Sequence, residues 1–262
     1  MLSDEIKEQY KKLKGQGIKA HLAWFWEYYK IEAAIAVISV GVVVGIIQTI
    51  VSHRPTAFNV MFLNAAVTDD YLSEALADDY AQYAGINLKE YDVVFDLRET
   101  LSMEGDSQYD MGTVQKIAAQ SAARELDAMV CNAFHFYNYV YNGIFTDLRD
   151  AMTEQELAQY EGKIFYVDGK DLKAFNEAVE KMDYSLMPET LITDPEEWQS
   201  KESFVLPDPG EMEDPIPFGI AVGDSQLITE YSFYPRSASF FGIAASSERM
   251  PAATAFLHYL YQ

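Results

Sequence analysis

The amino-acid sequence predicts an α/β protein in which an N-terminal transmembrane helix is followed by a mixed, mostly parallel sheet with helices on both faces. Three observations lead to this prediction. The run "AAIAVISVGVVVGIIQTIV", from Ala33 to Val51, contains nineteen residues and no charge. From Phe58 onward, short apolar runs alternate with helical patterns, as they do where strands and covering helices follow one another. Apolar residues make up 49% of the 262-residue chain, which is enough to form a core.

The apolar run has the length of a membrane span. At about 1.5 Å per residue, nineteen helical residues reach about 29 Å, close to the roughly 30 Å hydrocarbon core of a bilayer. The aromatic segment "WFWEYY", residues 24–29, precedes the run, at the position where interfacial aromatic residues concentrate. The run exceeds the ~7–15 apolar residues of a signal peptide, and no A-x-A-like cleavage site follows it. We therefore expect an uncleaved signal anchor; the alternative is the buried helix of a core.

The charges beside the span predict its orientation. Six lysines, from Lys7 to Lys30, lie before it, whereas only Arg54 and His53 follow closely. Because positive residues favour the cytoplasmic side, the N-terminus is expected in the cytoplasm and the rest of the chain outside. The predicted organisation is a cytoplasmic juxtamembrane segment (1–30), the anchor in the cell membrane (31–54) and an extracytoplasmic α/β domain (55–262).

Two features of the N-terminal part suggest contacts of its own. Residues 18–29 place apolar and aromatic side chains mostly on one helical side, which favours an interfacial helix beginning after the break "GQG". Gly41 and Gly45 form a G-x-x-x-G spacing, which allows two spanning helices to approach closely and predicts a homodimer. The alternative is that these glycines reflect only the high frequency of glycine in spans.

The outer part is strongly acidic. The chain has a formal net charge of −22, but residues 1–54 hold seven Lys/Arg and five Asp/Glu, which leaves −24 on residues 55–262. Such a surface repels nucleic acid, so no nucleic-acid partner is expected. Cys131 is the only cysteine, so no intrachain disulfide forms.

The alternation within the outer part predicts individual elements. Core strands are predicted at residues 58–63, 91–97, 126–131, 217–223 and 238–246, and an edge strand or hairpin arm at 163–169. Helices are predicted at residues 69–85, 111–125, 133–143, 171–182 and 247–261, and one more begins at the capping box "TEQE", residues 153–156.

Three stretches resemble the first lobe of extracytoplasmic solute-binding proteins, the receptors that feed ABC importers. They are "VQKIAAQSAARELDAMVCNAFHFYNYVYNGIFTDL" (residues 114–148), "PFGIAVGDS" (217–225) and "SFFGIAASSERMPAATAFLHYL" (239–260). The resemblance implies a periplasmic-binding-protein-like lobe. These receptors usually have a second lobe of similar size, and here only about seventy irregular residues, 145–214, would supply one. The chain therefore resembles a single-lobe, membrane-anchored relative.

Polar and aromatic residues at the ends of the predicted strands form the candidate ligand site. In open α/β sheets, ligands lie beyond the carboxyl ends of parallel strands. This rule selects Asn64, Asp96, Arg98, Asn132, Phe134 and Asp224. Three of these residues also have a structural alternative. Asn132 is typical of a helix N-cap, Phe134 of a core side chain, and Arg98 of an ion pair with a nearby carboxylate.

Catalytic and metal-binding motifs are absent from the sequence. It contains no G-x-S-x-G, H-E-x-x-H or G-x-x-x-x-G-K, so no catalytic residue, metal or cofactor is expected. Cys131 and His135 would form a nucleophile pair only within hydrogen-bonding reach, and a buried structural cysteine is favoured. The acidic run "DPGEMED", residues 208–214, lacks the D-x-D-x-D-G calcium spacing and is read as a solvated loop.

These observations predict a membrane-anchored, extracytoplasmic solute-binding-like module that is accessory to a transporter or sensing system. Its expected partners are the lipid bilayer, through Ala33 to Val51, membrane transporter subunits and a small solute. The alternative is an interaction domain that binds no ligand and docks on a membrane protein complex.

Overall fold

The computed structural model describes residues 17–52, 54–103, 105, 107–188 and 200–262. The chain divides into two compact units, residues 1–53 and 54–262. Each unit is considered separately below.

The described part of the first unit is one helix, α1 (Ile18–Ser52). The predicted interfacial helix and the predicted span are therefore continuous. Within α1, the 18-residue window Tyr29–Ile46 has a mean hydropathy of 1.9 and none of it is buried. Large apolar side chains such as Val37 are exposed, at 72%. This helix is long enough and apolar enough to cross a membrane, and its apolar window is not buried in a core within the described structure.

The described residues of the second unit form one sheet of six strands. They are β1 (Thr56–Phe62), β2 (Asp92–Asp96), β3 (Ala128–Asn132), β4 (Ile164–Asp168), β5 (Pro215–Ala221) and β6 (Ser239–Ile243). The order across the sheet is β2-β1-β3-β6-β5-β4. β1 pairs with β2 and with β3 in parallel, whereas β3–β6, β6–β5 and β5–β4 are antiparallel. The sheet is mixed, as predicted, but the expectation that it is mostly parallel is wrong.

The antiparallel half arises because each of two long connections returns the chain to the same end of the strands at which it left the sheet. Asp168 at the end of β4 lies opposite Pro215 at the start of β5. Val222, just after β5, donates its N–H to the carbonyl of Ser239 at the start of β6. Two parallel strands need a connection that crosses from the carboxyl end of the first strand back to the opposite end of the sheet, where the second strand begins. A connecting helix in the sequence does not reveal at which of these two ends the chain re-enters the sheet.

Helices cover both faces of the sheet, which confirms that part of the prediction. The helices of the second unit are α2 (Asp70–Ala84), α3 (Gln108–Ala122), α4 (Ala133–Tyr141), α5 (Glu154–Ala158), α6 (Gly169–Lys181), α7 (Gln226–Glu230) and α8 (Met250–Tyr259). Buried side chains of α2, α5, α7 and α8 pack on one face, where the Phe256 ring lies 5.1 Å from Phe58. Buried side chains of α3 and α4 pack on the other face, where Phe136 stacks on Phe145 at 4.5 Å.

Two glycines allow α4 to lie close to the sheet. A Cβ atom added at Gly242 of β6 would lie 2.7 Å from the ring of Phe136, and one added at Gly219 of β5 would also collide with that ring. Atoms at this separation overlap, so a larger residue at either position would force Phe136 outward. The two glycines therefore set the height of α4 above the sheet.

An ion pair with a buried carboxylate lies at the amino end of β3. The Asp127 carboxylate, just before β3, is fully buried and accepts hydrogen bonds from Arg249 Nε at 2.9 and 3.0 Å. It also accepts from the Ser247 hydroxyl at 2.6 Å and from the Asn59 N–H at 2.9 Å. These bonds tie the start of α8 to β1 and β3.

Candidate functional site

The predicted ligand residues lie at the same end of the strands but do not form one site. Strands β1, β2, β3 and β5 run in the same direction, so Asn64, Asp96, Asn132 and Asp224 all lie at or just after the carboxyl end of a strand. In the strand order, however, β2 and β5 are four spacings apart, or about 19 Å at roughly 4.8 Å per strand. One small solute therefore cannot contact both Asp96 and Asp224.

The three charged residues of the prediction are engaged in surface ion pairs. Asp96 lies 2.6 Å from Lys116, and Asp224 lies 2.7 Å from Lys163. Arg98 Nε donates to Asp70 at 2.6 Å. That hydrogen bond raises the pKa of Arg98. Arg98 thus follows its structural alternative, pairing with a nearby carboxylate.

Asn64 and Asn132 meet around the ring of His135. Asn132 caps α4, because its side chain accepts from the His135 N–H at 3.0 Å; it also lies 2.8 Å from His135 Nδ1. Asn64 adopts a left-handed conformation with φ 62°. Its side chain accepts from the Leu101 N–H at 2.8 Å and donates to the Leu101 carbonyl at 2.9 Å. Its Nδ2 lies 3.5 Å from His135 Nδ1. Both amides therefore hold the backbone beside the site.

Phe134 lines a groove at the end of β3, which we call the α3–α4 groove. The groove lies between α3, α4 and the segment that follows β2, and it has a volume of about 470 Å³. Most of its surface is apolar, with a few polar side chains from α4 and the segment before α3. Its lining residues are Leu101, Ser102, Met103, Gly105, Val114, Ile117, Ala118, Phe134, His135, Asn138, Tyr139, Asn142 and Ile144. Among these residues none carries a full charge at neutral pH.

His135 is the histidine among the described residues that line the groove. Its side chain is buried, and Nε2 lies 3.3 Å from the carbonyl oxygen of Ser102. Burial lowers the pKa of His135, so the neutral ring predominates at pH 7. The groove therefore presents a neutral polar ring rather than a cation.

The wall of the groove that contains Ser102 is fixed by Asp110. This carboxylate accepts from the Ser102 N–H and hydroxyl, both at 2.7 Å, and from the Ser107 N–H at 3.1 Å. Hydrogen bonds from Ser107, and then from Ser102, lower the pKa of Asp110. Ser107 in turn caps α3 in a capping box with Asp110. The same box that starts the helix thus anchors the segment lining the groove.

Sequence reasoning missed most of this wall. It placed the start of the helix at residue 111, whereas α3 begins at Gln108. The signal was present in the sequence as "SQYD", residues 107–110, a serine followed three residues later by an acidic residue. The apolar positions Val114 and Ala118 of α3 carried no such signal, because their role depends on the position of α4.

Cys131 is buried and does not act with His135. Its side chain packs in the core beneath α4, and burial raises the pKa of the thiol. The His135 ring instead faces two acceptors, Asn132 Oδ1 at 2.8 Å from Nδ1 and the Ser102 carbonyl at 3.3 Å from Nε2, and the neutral ring donates to one of them. A protonated, enclosed thiol is a poor nucleophile. The structural alternative for this cysteine accounts for its environment.

No group of three or more His, Cys, Asp or Glu side chains in the described residues is arranged to hold a metal ion. In the acidic run 208–214, Glu213 lies 2.6 Å from Lys170, and Asp214 lies 3.6 Å from Lys173. The run therefore pairs with the positive charges of α6.

The chain matches no protein-family model, no curated protein and no solved structure.

Proposed function

We propose that the second unit is a solute-binding-like module on the outer side of a membrane, anchored there by α1. The α3–α4 groove carries this proposal. Its volume of about 470 Å³ lies within the roughly 300–1,000 Å³ of small-molecule sites, and like them it combines apolar walls with a few polar groups. It also lies beside the carboxyl ends of β1 and β3, where open α/β sheets bind their ligands.

The lining defines the class of solute. Val114, Ile117 and Ile144 supply apolar surface, and the half-buried ring of Phe134 supplies a flat face for stacking. Ser102 and Asn138 supply hydrogen-bonding groups. Because the lining residues that the structure describes carry no full charge, the solute of this groove is small, uncharged and largely apolar, with one or two polar groups.

The order of elements supports a relation to the receptors of ABC importers, in a single-lobe form. The stretch 114–148 folds in the order helix, strand and helix that the resemblance implies, but α4 begins at Ala133 directly after β3 ends at Asn132, with no loop between them. Within the described part of 145–214, the strand β4 joins the main sheet through β5 instead of starting a second sheet. The proposed module therefore binds its solute in an open groove, without closure of a second lobe over it.

The proposed anchor follows from the length and composition of α1 together with the lysines before it. Lys19 lies on the N-terminal side of the apolar window Tyr29–Ile46, and Lys30 is the second residue of that window. This distribution supports an N-terminus in the cytoplasm. Protease added to intact cells should degrade residues 54–262 and leave an epitope tag at the N-terminus protected. Protection of the outer unit, or recovery of the chain in the soluble fraction, would contradict the proposed topology.

The ligand proposal is tested by thermal unfolding of the full chain in detergent micelles with a panel of neutral solutes. A solute at 100 times its dissociation constant adds about 2.7 kcal/mol to the free energy of unfolding. For a unit of this size, that raises the Tm by about 5–11 °C. Ala118→Trp fills the groove and should abolish the shift.

Ala119→Trp is the matched control, because Ala119 is exposed on the same helix but does not line the groove. It should keep the full shift. A solute that stabilises both variants equally would place its site elsewhere. If no solute of the panel raises the Tm while transporter subunits co-purify with the chain, the alternative of a docking domain that binds no ligand replaces the proposal.

A further inference from the structure

A second concave surface lies between α2, α7 and α8, on the other face of the sheet from the α3–α4 groove. Its volume is about 800 Å³. The floor includes the buried side chains of Leu76 and Leu227. Tyr83, Tyr231 and Tyr259 stand around it, and we call it the tyrosine groove.

The tyrosine groove carries negative charge that the protein does not neutralise locally. Asp79 and Glu230 line it, and its other lining residues include no Lys, Arg or His. In the described parts of the chain, neither carboxylate takes part in an ion pair. The Tyr259 hydroxyl donates to Asp79 Oδ2 at 2.7 Å, which orients this carboxylate and leaves its second oxygen available.

The hydrogen bond from Tyr259 persists over the whole physiological range. Burial, and then the bond to Asp79, raises the pKa of Tyr259, and the nearby charge of Glu230 acts in the same direction. The phenol therefore stays protonated and continues to donate. The geometry of the Asp79 carboxylate is thus set before any ligand arrives.

The rings add a second source of attraction for a cation. Tyr83 is 39% exposed, and its ring centroid lies 5.4 Å from that of Tyr259. Tyr231 stacks on Phe233 at 5.6 Å. Stacked neighbours hold these rings in place, and the face of an aromatic ring attracts an ammonium or guanidinium group. Two carboxylates among aromatic rings favour an organic cation over a bare metal ion, which prefers several oxygen ligands.

We propose that the tyrosine groove binds a small organic cation of the ammonium or guanidinium type, between the Asp79 and Glu230 carboxylates and the rings of Tyr83 and Tyr231. The site is independent of the α3–α4 groove, which lies on the other face of the sheet and whose described lining residues carry no full charge. The net charge of −24 on residues 55–262 assists the approach of any cation, so the test must separate local recognition from this general attraction.

Isothermal titration calorimetry of the full chain in detergent micelles provides the test, with choline and agmatine as probes. The control ligand is 3,3-dimethylbutan-1-ol, which has the shape of choline without its charge. At least one cation should bind with a stoichiometry of one, and the neutral analogue should bind at least about tenfold more weakly than choline if choline is that cation. Absence of binding by both cations, or equal binding of choline and its neutral analogue, would overturn the proposal.

Charge-neutralising variants locate the site. Asp79→Asn keeps an acceptor for the Tyr259 hydroxyl but removes the charge, and Glu230→Gln removes the second charge. Each variant should bind the cation about tenfold more weakly. Asp78→Asn and Glu180→Gln remove the same charges from exposed positions outside the groove, and should change affinity by less than about twofold. Equal losses in all four variants would show that only general attraction is involved.

Two further variants keep the result interpretable. Tyr83→Leu should weaken binding, whereas Tyr83→Phe, which retains the ring, should bind as the parent chain does. The thermal unfolding of each variant is measured in parallel, so that a loss of fold is not read as a loss of site. Ala118→Trp, which blocks the α3–α4 groove, should leave cation binding unchanged, so failure of one proposal does not decide the other.

Discussion

Removal of the Asp127 carboxylate is expected to be among the most damaging single changes in the second unit. The side chain is fully buried and accepts from Arg249, Ser247 and the Asn59 N–H. Asp127→Ala would leave the buried Asn59 N–H without an acceptor, at about 1–3 kcal/mol. It would also remove the carboxylate partner of Arg249, whose guanidinium would keep only its hydrogen bonds to the Arg124 and Glu125 carbonyls. Breaking a buried pair in this way costs about 3–5 kcal/mol.

Thermal unfolding followed by circular dichroism measures this loss. For a unit of about this size, 1 kcal/mol corresponds to about 2–4 °C, so the Tm should fall by about 6–20 °C. The matched control is Glu213→Ala, which breaks the exposed pair with Lys170 and should cost less than about 1 kcal/mol. The charges act as a unit, so the double variant Asp127→Ala/Arg249→Ala should lose much less than the sum of the two single changes. Additive losses, or a fall in Tm no larger than that of the control, would refute this reasoning.

Three other outcomes follow from the structure. Gly242→Ala should lower the free energy of unfolding by about 1–3 kcal/mol, and Phe136→Leu in the same chain should recover part of that loss in a urea titration. Burial lowers the pKa of His135 in the folded state, so the unfolded chain binds its proton more readily; the stabilising contribution is complete above the unfolded pKa of about 6.5 and declines as the pH falls below it. His135→Gln should lack this component when Tm is compared between pH 8 and 5.5. In cross-linking of membranes, Gly41→Leu and Gly45→Leu should abolish a dimer if the G-x-x-x-G face forms one, and a dimer that survives both changes would exclude that face.

The elements of the fold were predictable because each carries a local signal. Asp69 caps α2 and Gly85 ends it in a left-handed conformation, and these two residues bound the predicted range 69–85. Thr153 opens α5 in the predicted capping box. The edge strand or hairpin arm predicted at 163–169 is β4, at the edge of the sheet and antiparallel to β5. Caps and apolar periods depend on neighbours in sequence, so one sequence is enough to read them.

Strand direction and site assembly were not predictable in the same way. The direction of β6 depends on where the chain re-enters the sheet after α7, and no residue in that connection encodes it alone. The candidate residues were chosen by one rule for parallel sheets. The rule placed Asn64 and Asn132 at the carboxyl ends of neighbouring strands, but it could not give the distance from these residues to Asp224. The sequence rule also selects residues whose polar groups serve the backbone, because the same positions begin helices and turns.

The glycines beneath α4 have a consequence for how the α3–α4 groove changes between variants. Neither Gly219 nor Gly242 lines the groove, yet both control the ring of Phe136, and Phe136 belongs to the helix that carries Phe134 and His135. A methyl group added below the helix would therefore shift one wall of the cavity as a whole. If the groove binds a solute as proposed, its selectivity for solute size would be adjustable from the interior of the sheet, through substitutions at residues that do not line the groove.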